Sequence, residues 1–187
     1  MVTIRAEISS DYSPREALLN RAFGAKRLRK TSEKLRSNRM AALAFTATDD
    51  DGKLIGTVRL WNIIAGSAGS SLLLGPLAVD VKHQKSGVGR SLIETAIFAA
   101  RASGADSILL VGDQPYYSRF GFSANLTRSL HLPGPVERNR FLGLELEPQA
   151  LDEAMPTKTS ETITNNAATM ISMITVLSIR IPSQTLR

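Results

Sequence analysis

One segment near the middle of the chain constrains the fold more than any other. A mostly apolar run over residues 72–81 predicts a strand, and the Gly75-Pro76 pair inside it predicts a bulge or a splay, because proline removes a hydrogen bond from a ladder. Over residues 87–103, apolar side chains recur with the 3.6-residue period of a helix. Residues 107–111 then read as a short buried strand. Strand, helix and strand in this order form a βαβ-like unit and indicate an α/β protein.

Further patterns surround this unit. Residues 41–47 and 53–61 predict two strands joined by an Asp-Gly turn, which is a strong hairpin signal. Pro14 predicts the first turn of a helix, with Ser13 as its N-cap and Gly24 as its end. The other predicted elements are a strand at residues 2–6, a helix at 31–36, a brief helix at 115–121 and a strand at 141–146.

The composition is that of one globular domain. The chain has 187 residues, and its 43% hydrophobic and 21% charged content is ordinary for a folded protein. It contains no Cys, which excludes disulfides, thiolate metal sites and a cysteine nucleophile. The first residues lack the apolar core of a secretory signal, and no run of eighteen apolar residues occurs. We therefore expect a cytoplasmic protein without a membrane span.

Positive charge is concentrated in one stretch. The formal net charge is +6, and eight Lys or Arg residues lie between Arg21 and Arg39 against Glu33 alone. Such a stretch could attract nucleic acid, steer a small polyanion or an acidic acceptor, or form a solvated helical face. These alternatives stay open, although no RNA-binding motif supports a nucleic-acid partner.

The loop between the strand and the long helix predicts a phosphate site. The first amides of a helix have no internal partner, and Gly87 and Gly89 remove the side chains that would keep an anion from them. Lys85 and Arg90 add positive charge. A Walker A loop would end in Gly-Lys-Ser or Gly-Lys-Thr, which is absent, and a Rossmann loop would have a third glycine where Leu92 stands.

Two motifs together resemble a known family. Gln84-x-x-Gly87-x-Gly89 is similar to the pyrophosphate loop of the GCN5-related N-acetyltransferases (GNATs). Tyr117-x-x-x-Gly121-Phe122 follows the next predicted strand and resembles the family's Tyr-x-x-x-Gly-Phe signature. Both motifs occur in the family's order and spacing, and the resemblance extends over residues 1–154, most closely to the bacterial YhbS-type subgroup.

This resemblance implies a fold and an activity. The fold would be α/β (α+β): a mixed, mostly antiparallel central sheet with a splayed strand pair and flanking helices. The activity would be direct transfer of an acyl group, with acetyl expected, from acetyl-CoA to an unidentified amine, without a metal. A catalytically silent acyl-CoA-binding sensor on the same fold is the alternative. A homodimer is left open.

The resemblance also implies the roles of individual residues. The pantetheine amides would pair with the main chain of Leu77 and Val79, and the pyrophosphate would rest on amides from Ser86 to Arg90. Tyr117 would be the catalytic residue, a general acid for the departing thiolate, with the adjacent Tyr116 as its rival. The full predicted CoA-binding set is Leu77, Ala78, Val79, Gln84, Lys85, Ser86, Gly87, Val88, Gly89, Arg90 and Ser91.

The base and the acceptor side are less specified. His83, Asp80 and Glu94 are near in sequence, but Glu94 falls inside the predicted helix and His83 is expected to face solvent, so a water chain is the preferred route for the amine proton. By the resemblance, Phe23, Trp61 and the basic residues 26–36 line the acceptor side. Core packing is an equal alternative for the two aromatic residues.

The composition changes after the family-like region. We therefore divide the chain into a GNAT acyltransferase domain at residues 1–154 and an atypical C-terminal tail rich in Ser, Thr and Ile at residues 155–187. Residues 170–181 are β-branched and nearly uncharged, which suits a strand or an aggregation-prone segment.

Overall fold

The computed structural model describes residues 1–29, 33, 36, 38–65, 70–132 and 135–152. In this part of the chain, six strands form one sheet and follow each other in chain order. Each neighbouring pair is antiparallel except β4 and β5, which are parallel. The strands are β1 Thr3–Ala6, β2 Leu43–Thr48, β3 Leu54–Ile64, β4 Ser70–Val79, β5 Ser107–Val111 and β6 Phe141–Glu145.

Three α-helices accompany the sheet in the described residues: α1 Tyr12–Phe23, α2 Val88–Ala102 and the short α3 Gln114–Tyr117. Within those residues, no helix has both the length and the apolar character needed to cross a membrane. Single 3₁₀ turns connect several elements, at Ser9–Asp11, Ala25–Arg29, Val81–His83, Ser118–Phe120, Ala124–Thr127 and Arg138–Arg140.

Helix α2 covers one face of the sheet with its apolar stripe. Val88, Leu92 and Ala96 recur at helical spacing and are buried in the main core. Gly56 of β3 allows this close packing, because a Cβ atom built there would lie 2.9 Å from Cδ1 of Leu92. Removing the fully buried Leu92 side chain would cost about 2–5 kcal/mol of stability.

Helix α1 covers the opposite face. Leu18 and Leu19 pack against Ala78 of β4 in a separate apolar cluster. Leu77 and Val79 instead pack toward the main core under α2. Because side chains alternate along a strand, these neighbours place α1 and α2 on opposite faces of β4.

Strand β4 carries an irregularity in its middle. Leu77 pairs with Val58 of β3, and Leu74 pairs with Leu60, so Gly75-Pro76 stands opposite a single residue of β3. This is the two-against-one count of a β-bulge. It confirms the bulge that the Gly-Pro pair predicts.

Beyond this bulge, β4 and β5 diverge. The two strands pair only where Leu72 meets Ile108 and Leu73 meets Leu109. Residues 75–79 continue alongside β3 without a described ladder to β5. The splay opens a wedge between β4 and β5, which we call the β4–β5 wedge.

The sequence-based fold is confirmed, including the mixed sheet, the splayed pair and the hairpin. Gly24 ends α1 with a φ of +71°, as predicted. The N-cap at Ser13 is wrong: the turn Ser9–Asp11 runs directly into the helix, which begins at Tyr12 with Asp11 at the cap position. The predicted helix at 31–36 lies largely, and the C-terminal tail lies wholly, outside the described residues.

Candidate functional site

The free edge of β4 lines the β4–β5 wedge. The amide of Asp80 donates to the carbonyl of Ile55 on β3 at 2.8 Å. Because backbone groups alternate in direction along a strand, Ala78 also turns its amide toward β3. Leu77 and Val79 therefore direct their N–H and C=O groups into the wedge. Among the three β4 residues that are predicted to bind CoA, Ala78 differs from Leu77 and Val79, because its side chain faces α1 and its backbone groups face β3.

The start of α2 presents unpaired amides at the mouth of the wedge. Its first internal hydrogen bond runs from the Ser91 amide to the Gly87 carbonyl, at 3.0 Å. The amides of Val88, Gly89 and Arg90 precede this bond and have no partner within the helix. Gly87 has a φ of +89°, a left-handed conformation that glycine adopts without steric cost. Anions bind favourably at such a helix terminus.

The loop before α2 is ordered by its own contacts and is exposed. The Ser86 hydroxyl donates to the His83 carbonyl at 2.6 Å, and Lys85 has a φ of +64°. Gln84, Lys85, Ser86 and Gly87 are all exposed. The guanidinium of Arg90 forms an ion pair with Glu94 one turn later, at 2.8 Å. Within residues 84–87, Lys85 supplies the positive charge.

The two adjacent tyrosines of α3 take different places. Their rings stand at 89° with centroids 5.1 Å apart, which is an edge-to-face arrangement. A Cβ atom built on Gly89 would lie 2.9 Å from the hydroxyl of Tyr116 and 3.5 Å from Cγ2 of Val79. Tyr116 thus spans from α3 to the start of α2 across the mouth of the wedge.

Tyr117 is held by its ring at the end of β5. A Cβ atom on Gly112 would lie 2.3 Å from its Cε2, and its ring packs edge-on against Phe122 with centroids 5.8 Å apart. Burial raises the pKa of the Tyr117 hydroxyl, and the neighbouring Tyr116 and Asp113 raise it further. The phenol therefore keeps its proton well above neutral pH.

The three base candidates differ in their surroundings. The Lys82 amide and, less strongly, Arg21 lower the pKa of Asp80, which is ion-paired with Arg21 at 3.2 Å. Glu94 is exposed and ion-paired on the surface of α2, as described above. The expectation that His83 faces solvent is wrong, since it is half-buried and its Nδ1 is buried without a described partner.

A chain of alternating charges lies on the α1 side of the sheet, and we call it the Arg–Glu chain. Arg59 lies 3.4 Å from Glu7, Arg15 lies 3.0 Å from Glu16, and Glu33 lies 3.9 and 3.7 Å from Arg27 and Arg36. Glu7 also pairs with Arg15, and Glu16 with Arg27. In order, the members are Arg59, Glu7, Arg15, Glu16, Arg27, Glu33 and Arg36.

The two ends of the Arg–Glu chain meet at the β4 bulge. Arg59 stands in β3 opposite the bulge and stacks over Trp61 at 4.8 Å. A Cβ atom on Gly75 would lie 2.9 Å from Nη2 of Arg36, and the Trp61 indole donates to the Gly75 carbonyl at 2.6 Å. Burial lowers the pKa of Arg36 to about 10, with Glu33 opposing this shift and the positive charge of Arg59 adding to it. Phe23, the other aromatic residue predicted for the acceptor side, is exposed at 43%.

The sequence patterns do not predict the Arg–Glu chain. None of the alternatives considered for the basic stretch is a chain of buried ion pairs, yet Arg27 is buried, the Arg36 side chain is only 10% exposed, and both pair with Glu33. The signal was the isolated Glu33 among eight cations, since a lone acid in a basic run is a natural pairing centre. In the described part of the chain, no group of His, Asp and Glu is arranged to hold a metal ion.

The splayed sheet, the glycine loop at a helix start and the tyrosine helix define the GNAT class of acetyltransferases, and the chain belongs to this family. Residues 41–124 match the family model described as an acetyltransferase (GNAT) domain. The chain is 31% identical over 150 residues to YhbS of Escherichia coli K12, an uncharacterized N-acetyltransferase, which covers 80% of this chain and 90% of that protein. The predicted family and the likeness to the YhbS type are confirmed.

Solved structures agree with this assignment. The structure of E. coli YhbS in complex with CoA superimposes with a TM-score of 0.74 at 28% identity, covering 87% of this chain and 88% of that chain. A GNAT family acetyltransferase from Brucella melitensis in complex with acetyl-CoA gives a TM-score of 0.61 at 27% identity, covering 79% and 90%. Both relatives were therefore crystallised with the same kind of cofactor.

Proposed function

We propose that this chain transfers an acetyl group from acetyl-CoA directly to an amine. The observation that carries the proposal is the free edge of β4 in the wedge, which leads to the unpaired amides at the start of α2. An extended cofactor with a pyrophosphate at one end needs this combination of a strand edge and an anion site. The relatives bound to CoA and acetyl-CoA support the same choice.

The cofactor is assigned to the wedge in two parts. The pantetheine amides pair with the backbone of Leu77 and Val79 as an added strand would. The pyrophosphate accepts hydrogen bonds from the amides between Ser86 and Arg90, and Lys85 supplies positive charge. This arrangement places the thioester near the bulge at Gly75, where β4 leaves β5.

The reaction is a single displacement at the thioester carbonyl. The amine nitrogen attacks the carbonyl carbon, whose oxygen is polarised by a backbone N–H of β4 beside the bulge. The C–S bond then breaks, and the departing CoA thiolate takes the hydroxyl proton of Tyr117. The amine proton leaves to water, and Tyr117 regains its proton from water. No Cys is present to form a covalent acyl-enzyme.

Gly89→Glu tests the cofactor site. The variant places a side chain and a negative charge beside Tyr116 at the anion site, so we expect acetyl-CoA affinity to fall by tenfold or more. Phe98→Glu on the same helix is the control, because Phe98 is exposed at 58% and lies away from the loop. Calorimetry with acetyl-CoA measures the effect. Unaltered affinity in Gly89→Glu would contradict the assignment of the pyrophosphate site to the start of α2.

Thiol release with a panel of amines tests the reaction. Wild-type protein should release CoA faster with amines present than with buffer alone, and the acetylated amine should appear in equal amount. Acetyl-CoA binding without release for any amine would instead support the silent sensor.

A further inference from the structure

The Arg–Glu chain is short of one negative charge. It begins and ends with arginine, so it holds four guanidinium groups against three carboxylates. Among the described residues, each internal member touches two opposite charges, whereas each terminal arginine touches one. Buried charges are costly unless they are paired and hydrogen-bonded, so the ends are the unfavourable part of the chain.

Each end also carries one donor atom without a described acceptor. Among the described residues, Nε of Arg36 and Nε of Arg59 are buried donors without an acceptor. The Arg36 side chain is only 10% exposed. A buried donor without an acceptor loses its hydration and gains nothing in exchange. Two such donors, on like-charged groups that both lie beside the β4 bulge, suit an anionic ligand.

The two unpaired Nε donors lie where the acyl group would be delivered. Arg36 approaches Gly75 and Arg59 stands opposite the bulge, on the sheet face away from α2. Under the proposed function, CoA enters through the β4–β5 wedge and brings its thioester to this bulge. The α1 side of the bulge is then left for the acceptor.

We propose, on the basis of that function, that Arg36 and Arg59 bind a carboxylate of the acceptor, so that the substrate is a primary amine that carries a carboxylate. A carboxylate accepts from two donors at once and would join the two ends of the Arg–Glu chain into a closed ring. Arginine suits this role because its planar fork matches carboxylate geometry.

Glu7 supplies a complementary feature. Its Oε1 serves Arg15 and Arg59, while its Oε2 is buried without a described partner. An acceptor oxygen beside Arg59 suits the ammonium group of the same substrate. A free anion such as acetate would accept from the two arginines and leave Oε2 of Glu7 without a partner. An amino acid-like molecule therefore complements these three side chains better.

Matched pairs of amines test the inference by binding, without turnover. Glycine, β-alanine and γ-aminobutyrate are each compared with their carboxamides, which keep the amine and lose the charge. Their affinities for the CoA-saturated full-length protein are measured by calorimetry. At least one acid should bind about tenfold or more tightly than its amide, as expected for charge-assisted hydrogen bonds.

Two variants and a control locate the preference. Arg36→Gln removes one charge, and Arg59→Lys keeps the charge but removes Nε, so both should reduce the acid-to-amide ratio about tenfold or more. Arg128→Gln is the control, because Arg128 is exposed and its described hydrogen bond is to the neighbouring Asn125 at 2.9 Å. If Arg36→Gln does not fold, the acid-to-amide affinity ratio of Arg59→Lys tests the inference alone.

Equal binding of acids and amides would overturn the inference, as would no binding of any acid or an unchanged ratio in Arg59→Lys. Failure of the proposed function has a different signature: acetyl-CoA does not bind, or no amine is acetylated, whether acid or amide.

Discussion

The hydroxyl of Tyr116 lies 2.9 Å from the point where a Cβ atom on Gly89 would stand. The glycine that frees the start of α2 for an anion therefore also makes room for a tyrosine from the other side of the wedge. One residue thus serves both the cofactor loop and the packing of α3.

Gly89→Ala separates these two roles. Its methyl group would push Tyr116 aside at the wedge mouth, so we expect acetyl-CoA affinity to fall several-fold. The free energy of unfolding should stay within about 1 kcal/mol of wild type, since alanine's higher helix propensity offsets the crowding. Adding Tyr116→Phe removes the clashing hydroxyl and should restore part of the affinity. No recovery in the double variant would show that crowding by Tyr116 is not the cause.

Gly112→Ala tests whether turnover depends on the position of the Tyr117 ring. The new Cβ would lie 2.3 Å from the tyrosine ring, which must move, so the turnover number should fall and stability should drop by about 1–3 kcal/mol. Gly143→Ala is the matched control, because its Cβ would crowd Leu151 at 2.8 Å, away from the tyrosines. It should lose stability and keep its turnover number. An equal loss of turnover in both variants would contradict a specific role for the Tyr117 position.

Asp11 should make stability depend on acid pH. Its carboxylate is buried and accepts from Arg5 at 2.6 and 2.8 Å, and this bond lowers its pKa. The stabilisation is fully present above the unfolded value of about 4 and is lost as pH falls through the lower folded value. Asp11→Asn should cost about 1–3 kcal/mol at neutral pH and less in acid.

Denaturant unfolding at neutral and acid pH measures this difference. The control is Asp50→Asn, because Asp50 is exposed and pairs with the N-terminal amine at the surface. A gap between Asp11→Asn and wild type that stays constant with pH would contradict the assignment.

Local pattern was enough to predict most of the fold. Alternation and turn residues give the hairpin, the helical period gives α2, and Gly75-Pro76 gives the bulge that starts the wedge. The Arg–Glu chain could not be predicted in this way, because it joins Glu7, Arg15 and Arg59 from three separate segments of the chain. Ion pairs between distant segments produce no periodic pattern in the sequence. The N-cap predicted at Ser13 was wrong because the preceding turn, Ser9–Asp11, sets where the helix begins.

The tail beyond the family-like region should be dispensable. The resemblance to the family ends near residue 154, where the composition changes, and the six-stranded sheet is formed by earlier residues, including the β5–β6 pair. A chain ending at Met155 should therefore keep its circular dichroism spectrum and its acetyl-CoA affinity. Loss of folding in the shortened protein would show that residues 156–187 contribute to the structure, and the proposed domain boundary would be wrong.

Tyr117→Phe tests the general acid. The change keeps the ring against Gly112 and Phe122 and removes only the hydroxyl, so acetyl-CoA affinity should stay nearly unchanged. The turnover number should fall about a hundredfold, the low end for general acid catalysis, because a thiolate is already a fair leaving group. Tyr116→Phe is the matched control and should lower turnover much less. Steady-state rates with an excess of amine measure both variants.

The pH profile supplies an independent check on the same residue. An acid must hold its proton to act, and burial raises the pKa of Tyr117 above the ordinary tyrosine value of about 10. Its loss of function on deprotonation therefore begins above that value, and the wild-type turnover number should not decline on the alkaline side up to about pH 10. A decline near neutral pH that disappears in Tyr117→Phe would contradict the raised pKa, and full turnover in that variant would refute the acid role.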